Sequence, residues 1–184
     1  MLTNITIQRF KSIQEQTIPL NRTTVVMGAN GTGKNNFFSF FRMLNCMLTG
    51  GLQQFIGKEG GGQSLLRYGP KNTPVLTASL DLEIGNHRDV YEFSLVKAVQ
   101  DTLIFAEETA AFDGHKKEFG SGHKESVLSA EQNQDNWVLK DFFSRNRFFQ
   151  FHDTSDTAHI RNSSYNEITI YTAMRVICRL TSIC

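Results

Sequence analysis

The chain has 184 residues, 40% of them apolar and 14 of them glycine, with 19 Lys and Arg against 18 Asp and Glu for a net charge of +1. Such a composition is globular rather than disordered, and the length suits one domain. The near-neutral balance excludes a nucleic-acid or membrane partner held by bulk charge, so any such partner must be argued from a local site.

The first run, with Leu2, Ile5, Ile7 and Phe10 set among Thr3, Thr6 and Gln8, predicts a strand with one slip near Asn4, and not a secretory signal. Ile13 to Leu20 continues extended. Thr23 to Met27 is short, β-branched and almost wholly apolar, which predicts a strand buried on both faces. Next comes the glycine loop Gly28-Ala29-Asn30-Gly31-Thr32-Gly33-Lys34, then a helix over Asn35 to Leu48, rich in Phe, Leu and Met and free of Gly and Pro. The longest strongly apolar stretch, Phe37 to Leu48, contains Arg42 and falls short of the roughly twenty residues a bilayer span needs.

Glycines from Gly50 to Gly62 mark a loop-rich excursion around a short helix at Leu52 to Ile56. Val75 to Ile84, Val90 to Val99 and Thr102 to Phe112 then read as strands of an antiparallel meander, the first alternating cleanly between apolar and polar residues. An exposed loop over Gly114 to Glu125, a helix over Glu131 to Arg145 and a strand over Phe148 to Phe151 complete the reading. Cys46, Cys178 and Cys184 sit at no metal-ligand spacing, as expected of reduced thiols in the cytoplasm.

Gly28 to Lys34 fits the phosphate-loop pattern of two glycines with four residues between them, followed by lysine. Its glycines let backbone N–H groups curl around phosphate oxygens, the following helix offers its positive end, and Lys34 adds a charge for the β- and γ-phosphates. Asn35 stands where a Ser or Thr hydroxyl would bind Mg²⁺. Its amide oxygen offers a weakened metal ligand, so phosphate binding is expected to survive better than hydrolysis; the other reading is that Asn35 is a tolerated variant.

Gln8-Arg9-Phe10-Lys11-Ser12-Ile13, Ile18-Pro19-Leu20-Asn21, the loop itself and Asn36-Phe37-Phe38 together resemble the N-terminal lobe of bacterial AAA-family ATPases of the RecF/SMC, ABC-like type. The resemblance is specific over residues 1–48 and diffuse to about Tyr165. It implies an α/β P-loop NTPase lobe with a mixed sheet and an antiparallel β subdomain. It implies ATP and Mg²⁺ as ligands, Arg9, Lys11 and Ser12 near the base and α-phosphate, and Asn36 beside the metal-binding position. Full-length relatives of this type couple ATP-driven dimerisation to DNA transactions or phage defence, so a homodimer, pairing with a full-length homologue, and DNA are partners by resemblance only.

Other family parts find only faint echoes. Leu103-Ile104-Phe105-Ala106-Glu107-Glu108 mimics a Walker B strand but lies in the meander; Leu128 to Gln132 echoes a signature loop, with Phe148 to Asp153 as a second Walker B echo. His152 and Asp153 fall where the first lobe ends near Mg²⁺. The missing motifs would lie beyond position 184, and residues 166–184 do not read like the family, so the expectation is a truncated lobe over 1–165 with an atypical, frameshifted tail. A genuine short protein is the alternative.

His152, Asp153, Asp156 and His159 are close enough for a metal site, and His115, Lys116, Lys117, His123 and Lys124 for contact with DNA phosphates, but solvated turns are the simpler reading of both. The sequence thus points to an ATP-binding protein with impaired hydrolysis. The rival is a non-enzymatic interaction module that uses its meander as contact surface.

Overall fold

The computed structural model describes residues 1–21, 24, 26, 33–84, 87–112 and 114–130. In chain order its elements are β1 (Leu2–Phe10), β2 (Ile13–Pro19), α1 (Lys34–Leu48), α2 (Leu52–Lys58), β3 (Val75–Ile84), β4 (His87–Lys97), β5 (Leu103–Phe112), β6 (His115–Glu118) and α3 (Val127–Ala130). Short 3₁₀ turns lie at Gly62–Ser64 and Val99–Asp101.

The six strands form one sheet in the order β2-β1-β3-β4-β5-β6, and every neighbouring pair is antiparallel. This corrects the expected α/β P-loop lobe with a mixed sheet. Parallel neighbours need a crossover, whereas most strands here alternate in character and are joined by short turns that send the chain straight back. Even the long connection through α1 and α2 returns β3 antiparallel to β1. Of the expected buried strand at Thr23 to Met27, the described residues Thr24 and Val26 lie in no strand. The predicted helix at 131–145, the strand at 148–151, the His152 to His159 cluster and the tail at 166–184 lie outside the described residues.

Alternation decides which face of the sheet is buried. Ile5 and Ile7 of β1, Leu76 and Leu80 of β3, Tyr91 and Phe93 of β4, and Leu103 and Phe105 of β5 join one core with the apolar stripe of α1. That stripe includes Phe40, Phe41, Leu44 and Met47, spaced as one helix face requires. The slip near Asn4 is a register shift between Leu2 and Asn4 against β3. The opposite face is polar and knitted by side chains: Thr6 to Thr17 at 3.0 Å, and Thr77 donating to Gln8 at 2.8 Å. No helix among the described residues is long and apolar enough to cross a membrane.

Two stretches expected to be loose are tied down. Gly61, at φ 99, passes so close to Asp101 that a Cβ would meet its carboxylate at 2.0 Å, and Asp101 accepts the Gln63 amide at 3.1 Å. The predicted loop at 114–125 contains β6, which pairs with β5 from Thr109 to Phe112. Farther along, Glu125 accepts the first amides of α2, from Leu52 at 2.7 Å and Gln53 at 2.9 Å, where a carboxylate also complements the helix dipole.

Candidate functional site

The predicted phosphate site centres on the start of α1. Gly33 holds the cap position in left-handed backbone, φ 93 and ψ 0, and its carbonyl accepts the amides of Asn36 at 3.0 Å and Phe37 at 3.1 Å. Left-handed backbone is what glycine allows cheaply. Gly33 brings no side-chain cap to the start of this helix, whose first turn carries no acidic residue. Lys34 is the first helical residue and half-buried; Asn35, next to it, is exposed. Gly28, Ala29, Asn30, Gly31 and Thr32 lie outside the described residues.

The β1–β2 turn is clamped onto this helix by three consecutive residues. Phe10 packs edge-on against Phe40 at 5.3 Å, Lys11 Nζ donates to Ser39 Oγ at 2.9 Å, and Ser12 Oγ accepts from Asn36 Nδ2 at 2.6 Å. Positions 36, 39 and 40 share one helix face, so a two-residue turn reaches all three. Ser12 Oγ also stands 3.7 Å from where a Cβ on Gly33 would be. Of the residues expected near a nucleotide, the structure therefore gathers Ser12, Gly33 and Asn36 at the helix start. Lys11 is diverted, its ammonium paired with Glu59 at 2.6 Å. Arg9 is exposed and faces a different segment, described below.

Among the described residues, none gives Mg²⁺ its conventional anchor. Position 35 offers an amide, the first turn has no carboxylate, and no group of three or more His, Cys, Asp or Glu among the described residues could hold a metal ion. The depression of about 260 Å³ on the outer sheet face is no phosphate pocket either: Thr6, Gln8, Thr77 and Ser94 line it with Glu92 and Glu107, and no cation does.

Sequence reasoning missed a second polar centre, around Glu108. Its carboxylate is fully buried. Oε1 accepts the Tyr91 hydroxyl at 2.7 Å and the Ser126 hydroxyl, while Oε2 meets His123 Nε2 at 2.7 Å and the Val127 amide at 3.0 Å. The His123 ring stacks on Phe105 at 4.6 Å. Burial, reinforced by the adjacent carboxylate, pushes the Tyr91 phenol well above its ordinary range and keeps it a neutral donor. These contacts fasten residues 123–127 to β5. The Walker B echo at Leu103 to Glu108 is thus a strand of an antiparallel sheet whose Glu108 faces the core. In the signature echo, Leu128 is buried on the one-turn helix α3.

No protein-family model matches the chain, and no curated protein matches it. The family resemblance rests on the quoted residues alone.

Proposed function

We propose that the chain binds the phosphates of ATP at the start of α1 and hydrolyses it weakly or not at all. Gly33 carries this reading: a left-handed cap, closing a phosphate-loop sequence, on a fifteen-residue helix whose first turn holds Lys34 and no acid. Backbone amides at such a terminus and the lysine charge both favour an anion. Ser12 and Asn36 add a hydroxyl and an amide beside it. The frame is an antiparallel sheet, so the proposal concerns the loop and helix start and not a parallel-sheet nucleotide fold. An ATP ligand also fits a cytoplasmic protein, in keeping with the free thiol of Cys46.

Titration with a fluorescent ATP analogue, with Mg²⁺ and with chelator, tests this. Lys34→Ala is expected to weaken binding about tenfold or more, since a charge-assisted contact contributes about 1.5–3 kcal/mol. Chelator should change the affinity little, and Asn35→Ser should make it depend on Mg²⁺. Equal affinity in the parent and Lys34→Ala proteins, or no binding by either, would overturn the proposal.

A further inference from the structure

Five non-glycine residues among those described have left-handed backbone, and three of them meet at one place: Arg9 (φ 62), Lys11 (φ 48) and Tyr68 (φ 57). They surround an isolated bridge between Phe10 and Leu66. The Lys11 amide donates to Leu65 O at 2.8 Å and the Arg67 amide to Arg9 O at 3.1 Å, which sets Arg9 directly opposite Arg67. Left-handed backbone outside glycine is costly, and such costs gather at functional sites.

The charges in this patch are unequally answered. Lys11 has Glu59, but among the described residues no carboxylate lies within ion-pair distance of Arg9, Arg67 or Lys71. The Arg67 guanidinium lies 4.8 Å over the Tyr68 ring and reaches its hydroxyl only at 3.4 Å, while Nε is sealed from solvent without an acceptor. A guanidinium has five donors in a fork shaped for a carboxylate, and this one uses a single long contact. Tyr68 is 76% exposed, an unusual setting for a large aromatic ring. Arg67 holds its hydroxyl below the ordinary phenol range.

Nucleic acid would call for a basic stripe along a face. Here the cations are Arg9 and Arg67 on two short bridged segments of a chain of net charge +1, and Tyr with Arg is the pairing that dominates protein interfaces. We propose that Arg9, Arg67 and Tyr68 form a docking surface for a short acidic segment of a partner protein. One carboxylate would bridge the two guanidiniums, and an apolar side chain would lie on the open face of Tyr68. This site does not depend on the ATP reading.

A labelled ten-residue peptide of alternating glutamate and leucine, titrated into the full chain at rising salt, provides the test. Binding should saturate, weaken with salt, and fall about tenfold in Arg67→Ala, Arg9→Ala and Tyr68→Ala, while Lys116→Ala on β6 stays at the parent affinity. Arg67→Lys, which keeps the charge and loses the fork, should also bind weakly with an unchanged circular dichroism spectrum. Absence of peptide binding, equal affinity in the Arg67 variants, or tighter Arg67-dependent binding of a ten-nucleotide oligothymidylate would overturn the proposal.

Discussion

Glu108 is held by four donors from two separate stretches of chain, β4 and residues 123–127, so its removal would strand Tyr91, Ser126, His123 and the Val127 amide together. Leaving buried groups unpaired costs about 1–3 kcal/mol each at most sites. Glu108→Ala is therefore expected to lower stability by about 3 kcal/mol or more, read as a fall in the urea midpoint, and Glu108→Gln by less; a loss under about 1 kcal/mol would show that the network contributes little. Tyr91 gives the same centre a pH dependence. Its folded-state value is raised, by burial first and Glu108 second. The stability it contributes is complete below the ordinary phenol value of 10.0 and is lost as the pH rises through the folded value. Urea midpoints should hold up to about pH 10 and then decline, and Tyr91→Phe should flatten that decline from a lower start. In the sequence, Glu107 and Glu108 were indistinguishable. The register shift opposite Ser94 and Leu95 leaves Ala106 without a partner, which turns Glu108 inward where strict alternation would turn Glu107.

At the scale of elements, the legible parts were those with one uninterrupted pattern. The helix expected at 35–48 is α1 from Lys34, and the alternating run at 75–84 is β3 with those bounds. Both signals come from residues that pack against the core, so burial and periodicity agree. The stretch at 114–125 carried no such signal because its structure comes from partners far away: β5 for β6, and the amides of α2 for Glu125. The grip of Phe10, Lys11 and Ser12 on α1 was invisible for a similar reason. The resemblance implied that Arg9, Lys11 and Ser12 lie together near a nucleotide; the turn sends one residue to the helix start, one to Glu59 and one to Arg67.

For the whole molecule, the family resemblance implied an α/β nucleotide lobe with a mixed sheet, and the strand pattern suggested a meander; the described sheet is antiparallel throughout. Strand direction is decided by connections, and only the alternating stretches carried information about those. Placing β1 between β2 and β3 has a kinetic consequence. β3, β4 and β5 meet through short links, whereas β1 must wait for a strand that begins at Val75. Closing the longer loop costs more entropy before any contact rewards it. In pulse-labelled hydrogen exchange, amides between β3, β4 and β5 should gain protection before those that join β1 to β3, and the reverse order would refute this. The amino-terminal hairpin, with the helix start it clasps, would then be the last piece to settle on refolding and the first to detach under mild denaturant.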